Sequence, residues 1–318
     1  MGGATSPAVK VLAAAGAALA LATTALAGSA PKSPMLGGCP VFPSTSVWNQ
    51  RVDALPVAAN SAALIASIGL DAHVHADFGS GLWDGSRIGI PFVVVHGKTT
   101  PKSRLHFEYA DESDKGPYPI PANVQIEGQP ANTDGDRHAI IVDRDSCKLY
   151  ELYALQRQGS GWVAGSGAIW NLRSNAMRPS GWTSADAAGL AILPGLARWD
   201  GDASTGAIDH ALRFTAERTR NTFIYPARHE ASSDGDPSLP PMGLRVRLKA
   251  NVDISRLPPQ ARIVATAMKR YGMILADNGS SWYVSGAPSP RWSNDQLHAL
   301  GQLTGADFEV VDTSTLRP

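Results

Sequence analysis

Glycine and proline interrupt this chain at short intervals, and their spacing constrains the fold more than any other feature of the sequence. The 318 residues include 31 Gly, 23 Pro and 8 Trp, and few stretches are long enough for an amphipathic helix. Short segments bounded by turn residues are typical of sandwiches and barrels. We therefore expect a mostly β protein: a two-sheet β-sandwich of jelly-roll or lectin-like type with a few short peripheral helices.

The N-terminal segment has the composition of an export signal. One cation, Lys10, precedes a small and apolar run at 11–22, and Ala25-Leu26-Ala27 fits the small-x-small site of signal peptidase. The run is short for a bilayer span, which needs roughly 20 apolar residues, and retention as an anchor is the alternative. We predict a secreted protein, extracellular or periplasmic, divided into a signal peptide at 1–27, an arm at 28–46 and a single β-rich domain at 47–318.

The cysteine count and the charge balance both bear on the surroundings of the chain. Its two cysteines, Cys39 and Cys147, lie 108 positions apart, and outside the cytosol such thiols most often pair, although two free thiols are the alternative. Lys plus Arg equals Asp plus Glu at 28 each, so no global charge favours nucleic acid or an anionic membrane. We predict a Cys39–Cys147 disulfide, no nucleic-acid partner and no membrane span after signal removal.

Local patterns predict several elements. A hairpin over 137–153, with its turn centred on Asp145, places Glu151 and His138 on opposite faces unless a one-residue bulge exchanges the two sets. Asn278-Gly279 predicts a type I′ turn between strands 273–277 and 280–284. The remaining segments are expected strands at 88–95, 162–170, 207–215, 222–225 and 243–250, and expected helices at 61–68, at 259–271 and after Ser293.

Motifs of several enzyme classes are missing from the sequence, among them the phosphate-binding loop, His-Glu-x-x-His and Gly-x-Ser-x-Gly. His73 and His75 share one side of an extended segment with Asp77, an arrangement that a metal could use. Gly79-Ser80-Gly81 follows, where a cupin-type site needs a Glu. We expect histidines bonded to backbone groups, no metal site and no cofactor.

The second half of the chain combines carboxylates with aromatic rings, as polysaccharide sites do. The carboxylates are Asp143, Glu151, Asp186 and Asp277, and glycosidases use two carboxyl groups ~5–9.5 Å apart. Glu151 lies on a strand beside core residues, where burial raises a carboxyl pKa toward that of a proton donor; an ion pair with Arg137 is the alternative. Asp186 lies in a run of small residues, 181–190, in which Thr183 or Ser184 can cap a turn of helix.

Cationic side chains form a second group. Arg213, His229 and Arg245 are expected to converge on an anionic or hydroxyl-rich ligand, because guanidinium groups bind such ligands through paired hydrogen bonds; a solvated strand face is the alternative for Arg245. The candidate catalytic residues are Glu151, Asp186 and His210, and the candidate substrate-binding residues are Arg213, His229, Arg245, Trp182, Tyr150 and Trp282.

Seven runs of the sequence resemble a family of uncharacterised secreted bacterial proteins, some of them modules of larger extracellular chains. The runs are 136–138, 143–153, 164–168, 181–190, 209–215, 226–229 and 271–280. Because they span most of 40–312, the resemblance implies a single domain, and it implies no activity.

The residue types favour degradation of an extracellular polysaccharide or oligosaccharide by carboxylate acid–base hydrolysis. For a uronate polymer the expected reaction is instead β-elimination, with Tyr150, His138 or His210 as the base. A carbohydrate-binding or cell-envelope protein without turnover is the main alternative, and an acid-type peptidase with paired carboxyls is the third.

Overall fold

The strands of this protein are short, as the glycine and proline spacing predicts. The computed structural model describes residues 1–3, 32–131 and 134–316; positions 4–27 of the predicted signal peptide lie outside those ranges. In chain order the strands are β1 (Met35–Leu36), β2 (Cys39–Pro40), β3 (His75–Asp77), β4 (Leu82–Trp83), β5 (Ser86–Arg87), β6 (Phe92–Val95), β7 (Lys102–Ser103), β8 (His106–Phe107), β9 (Tyr118–Pro119), β10 (Ala139–Asp143), β11 (Lys148–Tyr153), β12 (Gln156–Gln158), β13 (Gly161–Ala164), β14 (Ser166–Asn171), β15 (Leu212–Ala216), β16 (Arg245–Leu248), β17 (Met273–Asn278), β18 (Tyr283–Ser285) and β19 (Phe308–Val310).

The helices occupy the places that the sequence predicts. They are α1 (Ser61–Ile68), α2 (Pro259–Arg270) and α3 (Asn294–His298), with 3₁₀ turns at Ala110–Glu112, Leu193–Gly195, Ala203–Thr205, Ala299–Gln302 and Gly305–Asp307. Ser293 caps α3, since its hydroxyl accepts the N–H of Gln296 at 3.4 Å. In the described part of the chain, no helix has the length and apolar content that crossing a membrane requires.

Two larger sheets and several small ones make up the β structure. One sheet has four strands in the order β14-β11-β10-β6, another has six in the order β19-β16-β17-β15-β18-β3, and a third has three in the order β12-β13-β8. Each contains parallel pairing: β10 with β6 in the first, β15 with β17 and β18 with β3 in the second, and β13 with β8 in the third. The mostly β class is confirmed, and within the described ranges no sheet closes into a barrel.

One large apolar core is shared by the four-stranded and six-stranded sheets. It contains Ile140 and Leu149 from the first sheet and Phe214 and Leu275 from the second. The opposite face of the four-stranded sheet packs in a second cluster with Ile141. Burial on both faces explains why β10 is a continuous apolar run rather than an alternating one.

The predicted disulfide between Cys39 and Cys147 is confirmed, with Cα atoms 5.5 Å apart. It joins β2 to the turn that precedes β11. Part of the predicted N-terminal arm therefore belongs to the core, where Val41 and Phe42 are also buried.

The β10–β11 hairpin differs from the prediction by one residue. Asp143 pairs with Lys148 rather than with Cys147, so the connection contains four residues instead of three. Because side chains alternate along a strand, this change exchanges the two predicted faces. Glu151 pairs with Ile140 and faces the large core.

The predicted hairpin around Asn278-Gly279 is wrong. β17 and β18 do not pair, because β15 lies between them and bonds to both. Neither Asn278 nor Gly279 has the positive φ that a type I′ turn requires. The connection instead crosses the end of β15, where Trp282 N donates to Thr215 O at 3.0 Å. The predicted strand at 222–225 is also wrong, since only an isolated bridge at Phe223 forms there.

Candidate functional site

A cavity of about 450 Å³ lies between the end of β17 and the end of the four-stranded sheet at which β10 begins and β11 finishes. This volume is within the range of small-molecule sites. Its charged and aromatic lining residues are Tyr109, Glu112, Asp136, His138, Tyr153, Asp186, His229, Glu230 and Asp277. Carboxylates are therefore the most frequent charged groups in the lining.

Arg213, on β15, is the buried centre of the polar groups beside this cavity. The pairing of Phe214 with Val284 places Arg213 opposite Ser285 on β18, and Nη1 of Arg213 donates to Ser285 Oγ at 2.8 Å. Nη2 lies 2.6 Å from Asp186 Oδ1 and 3.6 Å from Asp277 Oδ2, so the two carboxyl oxygens are no more than 6.2 Å apart.

A β-bulge in β17 brings Asp277 to this guanidinium. Phe214 pairs with Leu275, but Thr215 pairs with Asp277, so Ala276 is an extra residue in β17. In a regular strand without the bulge, Ala276 would pair with Thr215, and the side chain of Asp277 would point to the other face of the sheet. The bulge therefore puts Asp277 on the same face as Arg213.

Asp186 is held by its own loop. Its N–H donates to Ser184 Oγ at 2.9 Å, and Ser184 Oγ donates to Leu190 O at 2.5 Å. These bonds form a compact loop, and the turn of helix expected after Thr183 or Ser184 does not form. The side chain of Asp186 is 0% exposed, and Oδ2 has no hydrogen-bond partner among the described residues. Burial raises the pKa of Asp186 to about 7; Arg213 opposes this rise and Asp277 adds to it.

Asp277 is the accessible member of the pair, with 25% of its side chain exposed. Burial also raises the pKa of Asp277, while the charges of Arg213 and His138 lower it. A carboxyl group that is both reachable and raised in pKa can hold a proton and deliver it to a ligand in the cavity.

His138, just before β10, contributes a positive charge to the cavity wall. Nδ1 lies 2.5 Å from Glu127 Oε2, and Nε2 lies 2.9 Å from Ala185 O. Both partners are acceptors, so both ring nitrogens carry protons. Burial lowers the pKa of His138, but the charge and hydrogen bond of Glu127, together with the charge of Asp136, raise it to about 9. Burial likewise raises the pKa of Glu127, and the charge of His138 brings the net value below the usual range.

Metal-ligating side chains meet in one place in the described ranges: ligand atoms of Glu127, Asp136 and His138 lie within 4.8 Å of one another. Since both nitrogens of His138 already donate hydrogen bonds, a metal ion would have to displace one of them. Of the two histidines considered from the sequence, His73 bonds to the Gly301 carbonyl at 2.7 Å and His75 stacks on Tyr283.

Glu151 lies in the core and does not line the cavity. Its carboxylate accepts the N–H groups of Ile192 and Leu193, at 2.9 and 2.8 Å, and the indole N–H of Trp170 at 3.1 Å. Burial raises the pKa of Glu151 to about 7, opposed by these three donors. The carboxylate thus satisfies the first turn of the 3₁₀ helix Leu193–Gly195.

His210 and Arg245, two further residues predicted to act at the site, also lie away from the cavity. His210 is enclosed between Ala211 O, at 2.8 Å, and Asp202 Oδ2, at 3.1 Å. Arg245 is buried and donates to the backbone carbonyls of Tyr271 and Val47. Of the expected cationic group, His229 lines the cavity, and Arg213 lies behind the lining, bonded to Asp186.

The predicted aromatic residues also fall outside the cavity lining. Tyr150 packs in the smaller apolar cluster, Trp282 is fully buried between Phe214 and Phe308, and Trp182 lies against Arg178. The aromatic rings that do line it are Tyr109 and Tyr153.

The structure therefore unites Asp186, Arg213 and His229 and adds residues that were not selected from the sequence. The sequence analysis named Asp277 only as one of several carboxylates, because nothing in the sequence indicates the β-bulge that turns its side chain toward Arg213. Glu127 and Asp136 precede the hairpin in a loop without a recognisable pattern. No family model, curated protein or solved structure matches the chain.

Proposed function

We propose that this protein hydrolyses a glycosidic bond in an extracellular polysaccharide, with Asp277 as the proton donor. One observation carries the proposal: an accessible carboxyl group of raised pKa lines a 450 Å³ cavity, within 6.2 Å of a second carboxyl group on the same guanidinium. Glycosidases likewise use a carboxyl group of raised pKa as the proton donor and a second carboxylate in the same site, here Asp136 in the cavity lining.

In the proposed reaction, Asp277 gives its proton to the glycosidic oxygen as the bond from that oxygen to the anomeric carbon breaks. Water then supplies a hydroxyl to the anomeric carbon, and its remaining proton returns to Asp277, so the enzyme is regenerated. The positive charge that develops on the sugar is stabilised by the carboxylate of Asp136 in the same lining. Asp186, whose side chain is inaccessible, positions Arg213 and thereby Asp277.

The charges around the cavity favour hydrolysis over β-elimination. Elimination from a uronate needs a cation that neutralises the sugar carboxylate. Arg213 is already bound to Asp186 and Ser285, with 4% of its side chain exposed, and both ring nitrogens of His138 are bound to Glu127 and to Ala185 O. The lining itself is rich in carboxylates. We infer a substrate whose sugars carry no carboxylate at this position.

Secretion and the lectin-like sandwich belong to the same proposal. The disulfide supports an oxidising compartment outside the cytosol. The core shared by the four-stranded and six-stranded sheets supports a sandwich arrangement.

The test is a polysaccharide panel assayed for new reducing ends, with Asp277→Asn compared with wild type. We expect the variant to remain folded and to lose turnover by ~100-fold or more. Glu217→Gln, at an exposed carboxylate outside the cavity lining, is the matched control and should be fully active. Binding of a polysaccharide without cleavage by wild type would replace this proposal with a carbohydrate-binding protein without turnover.

A further inference from the structure

A second groove, of about 640 Å³, lies beside the β4–β5 hairpin and is lined by Trp83, Arg87, Asp77 and Glu127 among others. Trp83 is 78% exposed, more than any other large apolar side chain from residue 32 onward in the described ranges. Single exposed apolar residues are common on protein surfaces. This one, however, borders a concave polar groove, which is where an aromatic ring can bind a ligand.

The hairpin presents Trp83 in a defined orientation. Asp84 and Gly85, the two central turn residues, have φ of 47° and 75°, as a type I′ turn requires. Arg87 N donates to Gln129 O at 3.1 Å, which fastens the hairpin to the neighbouring segment. Among the described residues no aromatic ring or cation stacks on Trp83, so its indole face is available.

One pair of side chains joins the wall of this groove to the wall of the cavity. Glu127 lines the groove, and its carboxylate bonds to Nδ1 of His138, which lines the cavity. Asp136, another cavity residue, has its carboxylate within 4.8 Å of ligand atoms of both. The groove and the cavity are therefore neighbouring sites with Glu127 and Asp136 at their border, which is the arrangement that one extended ligand occupying both requires.

We propose that the Trp83 groove is a second sugar subsite and that the substrate is a polysaccharide chain occupying both sites. The indole stacks on the apolar face of a sugar ring, while Asp77, Asp84 and Arg87 hydrogen-bond its hydroxyls. Three carboxylates, including Glu127, surround a single cation, so the bound sugars carry no carboxylate. The assignment of the chain as a substrate rests on the proposed function, whereas binding at Trp83 does not.

Binding is tested by affinity electrophoresis in gels containing hydroxyethyl cellulose, xylan, glycol chitosan or polygalacturonate. We expect retardation by at least one of the first three polymers, weakened ~10-fold or more by Trp83→Ala, as for truncation of a central aromatic contact, and largely kept by Trp83→Phe. Leu82→Ala is the matched control: Leu82 is 57% exposed on the same strand and lies outside the groove lining, so this change should leave binding intact.

The outcomes separate the two proposals. Equal retardation of Trp83→Ala and wild type, retardation by polygalacturonate alone, or no retardation by any polymer would each overturn the subsite. Retardation that depends on Trp83 without new reducing ends supports the subsite and contradicts the hydrolase. If wild type cleaves a polymer, its kcat/KM should rise with oligosaccharide length, and Trp83→Ala should lose that rise while still cleaving short oligosaccharides.

Discussion

The imidazole of His138 lies 2.5 Å from the carboxylate of Glu127, and this ion pair joins a wall of the cavity to a wall of the Trp83 groove. The second ring nitrogen donates to Ala185 O on the Asp186 loop. The pair therefore links the entry of β10 to the loop that holds the buried carboxylate. Loss of the His138 proton would leave one of these two acceptors without its donor.

Stability should fall as the pH rises from about 6.5 to about 9. The pKa of His138 is raised from 6.5 to about 9, so its contribution is complete below pH 6.5 and is lost as the pH passes through the folded-state pKa. The upper size of this contribution is on the order of 3 kcal/mol. Urea unfolding at pH 6, 7.5 and 9 measures the decline, which His138→Gln should flatten between pH 7.5 and 9.

The control for that experiment is His96→Gln, at a histidine whose side chain is 63% exposed. It should keep the wild-type decline. An equally steep decline in His138→Gln would contradict the assignment of a buried, charged imidazole. The pKa values of Asp186 and Glu151 are also raised, each to about 7. Ionisation of these two buried carboxyl groups should therefore lower stability as the pH rises from about 4 to 7, before the decline due to His138.

Glu151→Gln should destabilise the protein by ~1–3 kcal/mol. The carboxylate accepts N–H groups at both oxygens, and an amide offers an acceptor at only one of these positions. Whichever way the amide is turned, at least one buried N–H loses its partner. Denaturant unfolding at pH 5, below the raised pKa of about 7, measures the change while the wild-type carboxyl group is neutral like the amide.

The same Glu217→Gln control, at an exposed carboxylate, should change stability by less than ~0.5 kcal/mol. A Glu151→Gln variant as stable as wild type but without turnover would restore Glu151 as the catalytic acid predicted from the sequence. Because Glu151 lies in the core, we expect Glu151→Gln to lower the free energy of unfolding rather than to abolish turnover directly.

The sequence predicted the features that depend on local pattern, but not those that depend on the register between paired strands. α2 begins at its proline, and the two thiols pair because no others compete with them. A side-chain period of two means that one added residue reverses a face. One added residue lengthens the turn before β11 and places Glu151 on the opposite face from the one predicted. Another, Ala276 in β17, places Asp277 on the same face as Arg213.

Long-range pairing overrode a strong local signal at Asn278-Gly279. These two residues favour a tight hairpin turn, but β15 lies between the two strands that they were expected to join. The partners of Glu151 and His210 are likewise set by tertiary contacts, with segments whose approach no local pattern reveals.

Arg213→Gln should move the alkaline limb of the pH–rate profile to higher pH. The guanidinium lowers the pKa values of both Asp277 and Asp186, so its loss keeps Asp277 protonated to a higher pH. We expect a shift of about one unit, which corresponds to roughly 1.4 kcal/mol. The measurement is kcat/KM against pH on whichever polymer wild type cleaves.

Ser285→Ala serves as the comparison, because it removes only the hydrogen bond at Nη1 and keeps the charge. Its alkaline limb should stay within a few tenths of a unit of wild type. A limb that moves equally in both variants, or in neither, would show that the carboxyl pair does not control the rate. Should Arg213→Gln fail to fold, Arg213→Lys, which keeps the charge without the forked geometry, should keep the limb and lose turnover.

Removal of the disulfide should destabilise the fold by up to ~4–5 kcal/mol, the upper figure of the chain-entropy model for a loop of this length. Cys39 and Cys147 are separated by 108 positions and both are buried in the large core. In a thermal scan, the Cys39→Ser/Cys147→Ser double variant should therefore melt well below wild type. Reductant should lower the wild-type midpoint to that of the double variant and leave the variant unmoved, since it has no disulfide to lose. A wild-type midpoint insensitive to reductant, with free thiols detected after treatment, would show that contacts in the core, and not the covalent link, hold β2 against the turn before β11.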